Sequence, residues 1–434
     1  MKSSHLYILP ALLLFFTQGC DLNITNPNQA VEERVLTTSD GIIALAIGMQ
    51  RDYASQNVDS YIRHPAITSR EFAANTTFSN LIQLEDGLNA LSGANSGVSA
   101  IWFNSYRVIG IANDLIENAP NVQLSEGTRS GIIALSQLYK AMCLGFIAQA
   151  FEQAPTDIHI DGQATFVSRT EVFAEAIRLL DNALQIISAT PPSAQFNGDI
   201  LGQGFDLLNT IHAYRARYNL FAGNYPAALA AANAVDPGAT SVYTYDAENQ
   251  NPIYTQVFAL DDYAPRDNFG ILVTDSNDAR LAFYLMPNDR LSNPNSLPIE
   301  MLSGFWNTAT SSIPAYLPGE MALTRAEANA MMGDITGAVA EIDAIRTKTP
   351  ERDPFGIGAS LPPYSGPQTV EAVKEEIFRQ RRAELFLNGT GWEDSRRLDQ
   401  PGPSSDPFER NRNFYPYADQ ERLNNPNTPS DPAN

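Results

Sequence analysis

Two stretches of this chain repeat each other at a fixed distance. Arg215–Leu229 lines up with Arg325–Val339 at an offset of 110 residues throughout. Gly223 and Gly333 fall where a first helix must end, a position that favours Gly because the backbone turns left-handed there. Asn224 and Asp334 come next and are expected to cap a second helix. Ala216 with Ala326, and Ala228 with Ala338, place small residues where two antiparallel helices would press together. This is the pattern of a tetratricopeptide-like helix–turn–helix unit, which cannot bury its face alone and has to stack on neighbours. Two unrelated hairpins with ordinary Gly ends are the competing reading.

The rest of the chain supports a mostly helical body. Apolar periodicity predicts a helix over Gly41–Ala54, with Ser39 or Asp40 as its cap, and others over Val98–Asn118 and Glu126–Gln153. Ser168 and Glu171 form a capping box that opens a helix running to about Ser188. Two regions lack helical pattern: Gln56–Gly97, and Asp236–Pro318, which is rich in Asn, Asp and Pro. Gly270–Val273 and Ala282–Leu285 read as short strands within the second.

The N-terminus reads as an export signal. Lys2 precedes an apolar run from Leu6 to Phe16, too short to span a bilayer, that ends at Gly19-Cys20. Residues 1–19 are therefore expected to be a lipoprotein signal peptide and Cys20 the acylated new N-terminus, although Thr17 is unusual for such a signal. An ordinary signal peptide cut nearby is the alternative. Residues 20–38 would form a lipid-anchored flexible linker and 39–434 a single helical domain. No second apolar run is seen to approach a membrane span, so the mature body is expected to be soluble. Cys143 is then the only other thiol, in an apolar helical stretch where a buried, inert role is expected.

Charge and motif content narrow the function. The formal charge is −21, and −22 once Lys2 is removed, which repels phosphate and argues against nucleic acid. Membrane attachment would have to come from the lipid, and stable anchoring takes more than one acyl chain. Beyond residue 19 the histidines are His64, His159 and His212, without an HExxH or Cys–His zinc spacing. No GxSxG or P-loop occurs, so nothing argues for an enzyme or a cofactor. Asp261-Asp262 remains open as a glycosidase pair, since sequence gives no separations.

A rigid helical scaffold with long loops rich in aromatic and amide residues points to a ligand-binding surface. Sugar rings are well met by flat aromatic faces flanked by amide and guanidinium groups. Arg70, Asn75, Tyr263, Arg266, Tyr284 and Trp306 form the candidate set, led by Trp306 because it lies beside Asn307 in a polar stretch. For any single aromatic, a place in a small core under the loops is the competing reading.

Several motifs, in order along the chain, resemble those of the SusD/RagB-like lipoproteins. Cys20–Asn28 is similar to the family's mature start, and Trp102, Tyr106, Ile109, Ala112 and Asn113 match its W-x-x-x-Y…I-x-x-A-N helix. Leu323, Ala326, Glu327, Ala328, Gly333, Asp334 and Arg346 follow its L-x-x-A-E-A…G-D…V-R segment. Arg381 or Arg382, Glu384, Leu385, Gly389, Trp392, Asp394 and Arg397 resemble its most distinctive stretch. Phe414–Tyr417, Glu421 and Asn425-Pro426 look like its ending. Asn388, Gly391 and Asp343 stand where the family usually has Glu, Arg and Asn.

The resemblance implies a SusD-like α-α superhelix in which Trp102 and Trp392 are core residues. It implies a non-enzymatic lipoprotein on the outer face of the outer membrane, partnered with a SusC-like TonB-dependent transporter to which it delivers oligosaccharides or peptides. A secreted all-helical glycan-degrading enzyme and a tetratricopeptide-type envelope scaffold without ligand are the alternatives.

Overall fold

The computed structural model describes residues 35–159, 161–272 and 275–433. The signal peptide, Cys20, most of the linker and Val273 lie outside the described residues. The first helix, α1 (Ser39–Asp52), is capped by Thr38, whose hydroxyl accepts the Gly41 N–H, rather than by Ser39 or Asp40. It does not end at Ala54. A π-turn at Tyr53–Asn57 carries it into α2 (Val58–Thr68). Nine of the eleven α2 residues are buried, so no polar face marks the helix in the sequence. With α3 (Ser79–Asp86), it makes much of the stretch expected to be irregular helical.

The scaffold then follows the expected periodicity. Helices α4 (Ser96–Asn118), α5 (Glu126–Ala150) and α6 (Arg169–Ala189) pack in sequence. Ser125 caps α5, and Ser168 with Glu171 forms both halves of the capping box on α6. By length and hydropathy α5 could cross a bilayer, contrary to the sequence expectation, but 94% of its apolar window is buried inside the fold. Cys143 lies in this helix, buried, and burial pushes its thiol well up from the ordinary value.

Both repeats form the predicted pairs: α7 (Leu207–Phe221) with α8 (Tyr225–Asn233), then, after a short helix α9 (Ala279–Tyr284), α10 (Pro318–Met331) with α11 (Ile335–Arg346). Gly223 and Gly333 have φ of +77° and +88° with open space around them. Conformation, not room, is what requires glycine there. Asp334 caps the Gly337 N–H at 2.9 Å, whereas the Asn224 amide turns aside to Asn219. Ala216, Ala228, Ala326 and Ala338 are fully buried between the helices. Helix α8 packs on α10, so the second repeat stacks on the first, and α12 (Val370–Glu384) closes against α10 and α11.

Buried charges tie this stack together. Arg217 of α7 meets Glu320 of α10 through two 2.6 Å hydrogen bonds, both side chains 1% exposed. Glu327, the repeat equivalent of Arg217, instead pairs with Arg397 of α13 (Gly391–Arg397). Asp394 binds Arg397 at 2.6 Å and Arg381 at 2.9 Å, while Glu384 binds Arg280 at 3.1 Å and also Lys348. Burial pushes the Asp394 carboxyl up, with Arg381 opposing. Gly391 has no room for a side chain: an added Cβ would strike the paired Glu71 and Arg382. Trp102 and Trp392 are core residues, as expected, each 1% exposed.

The described strands form four antiparallel pairs: β1 (Phe72–Ala74) with β5 (Tyr263–Pro265), β2 (Gln153–Ala154) with β3 (Val167–Ser168), β4 (Val242–Tyr243) with β8 (Ile313–Pro314), and β6 (Leu285–Leu291) with β7 (Pro298–Leu302). Ala282–Tyr284, expected as strand, belongs to α9, and Gly270 ends a short 3-10 turn. The C-terminal segment threads back through the body. Asn411 donates its amide to the Leu84 and Glu85 carbonyls at 2.7 Å each, Tyr415 N–H to Ala150 at 2.9 Å, and Trp392 to the Arg412 carbonyl at 2.7 Å.

Candidate functional site

The two loop-bearing regions meet at the β1–β5 pair, where Ala73 faces Ala264 and Ala74 faces Tyr263. Just beyond the pair, Asn75 becomes a three-way link. Its N–H reaches the Asp262 carbonyl at 2.8 Å, its amide reaches the Asp261 carbonyl at 3.1 Å, and its oxygen accepts Asn293 N–H at 3.2 Å. Thr76 N–H adds a bond to the Asn293 carbonyl at 2.9 Å. Asp261, held at φ +54°, pairs with Arg290 at 2.7 Å, both about half exposed.

Phe78, Leu260 and Leu291 stand close along the chain to these linked residues, and each is more than half exposed. The exposed groups carried by the chain around this junction are an aromatic ring, two aliphatic side chains, amides and an accessible ion pair. Groups of these kinds can stack on apolar faces and hydrogen-bond hydroxyls. Among the described residues no group of three His, Cys, Asp or Glu could hold a metal ion.

Solved structures with the same architecture cover nearly the whole chain. A SusD superfamily protein from Bacteroides thetaiotaomicron VPI-5482 aligns over 91% of this chain and 99% of its own, with a TM-score of 0.68 and 17% identity. A SusD-like carbohydrate binding protein from Bacteroides fragilis NCTC 9343 gives 0.69 and 14% over 91% and 99%. Another from Bacteroides vulgatus ATCC 8482 gives 0.68 and 16% over 89% and 96%. The fold is that of the SusD superfamily. No family model and no curated protein matches the chain.

Within this SusD-like body, Asn75 is the one nominated side chain that reaches the surface just described. Tyr263, Arg70 and Arg266 are buried. Tyr263 is fully buried, accepts Arg63 at 2.8 Å, and has its phenol pushed up to about 12 by burial, against the pull of Arg63. Arg70 donates to the Glu409 and Glu85 carbonyls at 2.8 and 2.7 Å, and Arg266 to those of Pro298 and Pro407 at 3.2 and 2.8 Å. Burial lowers both guanidinium pKa values, with Glu85 opposing it at Arg70 and Asp267 at Arg266. These two arginines knit loops; they present no free donor fork outward.

Tyr284 and Trp306 belong elsewhere. Tyr284 is fully buried and donates to the Glu384 carbonyl at 3.1 Å amid Phe269, Phe283 and Phe386. Trp306 is 2% exposed and meets Phe305 edge to face at 5.9 Å. Its face is covered, which corrects its placement at the head of the ligand set. The polar residues follow it in sequence, while the ring belongs to the main hydrophobic core. Sequence reasoning passed over Phe78, Leu260, Arg290 and Asn293. Phe78, an aromatic without an apolar period around it, carried a readable signal; the others become neighbours only through strand pairing.

Proposed function

We propose that this protein captures oligosaccharides at the Asn75–Phe78 surface and passes them to a SusC-like TonB-dependent transporter, from a position on the outer face of the outer membrane where Cys20 is lipid-anchored. The observation that carries the reading is the junction itself: both loop regions meet at the β1–β5 pair and the Asn75–Asn293 bond, and Phe78, three residues along the chain from Asn75, is exposed. Structures with this fold that are named as carbohydrate binding proteins support the ligand class. The role is capture, not turnover. The buried ion pairs make a rigid platform, and Asp261 is engaged by Arg290.

Phe78→Ala is expected to weaken binding of the glycan found on an oligosaccharide array at least tenfold, about 1.4 kcal/mol. Phe78 is exposed, so circular dichroism should be unchanged; an unaltered binding isotherm would remove this surface from the proposal. Cys20→Ala is expected to release intact, ligand-competent protein from the membrane fraction. Retention of unprocessed protein there would sink the anchor.

A further inference from the structure

The three π-turns among the described residues all border one groove. Tyr53–Asn57, Phe196–Ile200 and Thr255–Ala259 each carry the i→i+5 bond, closed by Val58, Leu201 and Leu260. Such turns are rare and frequent at functional sites. Ala54, Asp199 and Ile200 line a hollow of about 340 Å³; Ser55, Gln56, Thr255 and Gln256 line an adjoining one of about 400 Å³. The two share Glu248 and Asn249 as a common wall. Each falls in the size range of small-ligand pockets, roughly 300–1,000 Å³.

The walls are fixed and the lining is free. Gln50 clamps one side, donating to the Ile200 carbonyl at 2.8 Å and accepting Gly202 N–H at 2.9 Å. Tyr245 donates to the Ala54 carbonyl at 2.9 Å, at the first π-turn. Asp246 holds the shared wall by accepting Glu248 and Asn249 N–H at 2.8 and 2.7 Å, bonds that keep its carboxyl below the usual range. By contrast, the side chains of Gln56, Gln203, Asn249, Gln250 and Gln256 have no hydrogen-bond partner among the described residues.

We infer that this groove is a second saccharide-binding site, separate from the Asn75 surface, and that it takes uncharged sugars. Primary amides both donate and accept, which matches the paired donor and acceptor character of sugar hydroxyls. Tyr139, Phe205 and Tyr243 give the first hollow an aromatic floor. Asp59 is neutralised by Arg63, but Asp199, Asp246 and Glu248 outnumber Arg51, so a uronate is repelled.

Calorimetric titration of the mature protein with maltohexaose, cellohexaose and xylohexaose, and with hexagalacturonate, tests this. At least one neutral hexasaccharide should bind, and Gln56→Ala/Gln256→Ala should weaken that event at least tenfold while Phe78→Ala leaves it in place. Hexagalacturonate should bind this groove at least tenfold more weakly. The inference is overturned if no neutral probe binds, if the double variant matches wild type, or if hexagalacturonate binds as well. Loss of all binding in Phe78→Ala would also overturn it, while leaving the Asn75 surface intact; a silent Phe78→Ala beside a damaged double variant would do the reverse.

Discussion

Arg217→Met is expected to destabilise the fold by about 3–5 kcal/mol, the cost of leaving a buried charge without its partner. Glu320 is 1% exposed and receives both of its 2.6 Å bonds from Arg217. The guanidinium also donates to the Tyr61 hydroxyl at 3.0 Å and lies 4.3 Å from the Tyr214 ring centroid, so no water takes its place cheaply. Glu320→Met alone should be comparably damaging, because it strands the arginine instead. The double variant should recover much of the loss, since two apolar side chains leave no charge to solvate. Guanidinium unfolding followed by circular dichroism measures all three. Single variants within about 1 kcal/mol of wild type would show that the pair does not join the repeats as described.

Trp306→Ala is expected to cost a similar amount, about 3–5 kcal/mol, as a large cavity opens beneath the loop region. The ring is 2% exposed and packs edge-on against Phe305, which in turn contacts Phe283 and Phe355. Trp306→Phe separates this from a role in recognition. The indole N–H is buried without a hydrogen-bond partner, so removing it strands nothing and should cost far less than truncation. Thermal unfolding of both variants, beside a binding isotherm for any folded fraction, decides the matter. A stable Trp306→Ala protein with impaired binding would restore this residue to the ligand site.

Trp306 also shows where sequence reasoning stops. The residues that follow it in the chain are mostly polar, and a polar context reads as surface until the chain is folded around it. Helix α2 escaped for the opposite reason: buried on nearly all sides, it has no polar face to set a period. The π-turns add another difficulty, because one extra residue shifts the phase of the apolar stripe, so α1 and α2 do not read as one helix. What could be read rests on local chemistry. Gly223 and Gly333 mark turns that only their backbone freedom permits, and Ser168 with Glu171 marks a helix start that needs no tertiary contact. Of the candidate surface, Asn75 was legible, whereas Arg290 and Asn293 reach it only through pairing with residues far away in sequence.

The return of the C-terminal segment into the body sets the timing of folding. The Leu84 carbonyl waits for the Asn411 amide, 327 residues later in the chain. At roughly 5–20 residues per second, that partner leaves the ribosome on the order of 15–65 s afterwards. Until then the Leu84 carbonyl lacks its side-chain donor, and Ala150 at the end of α5 lacks the Tyr415 N–H. A nascent chain of this protein therefore cannot complete its core while it is being made.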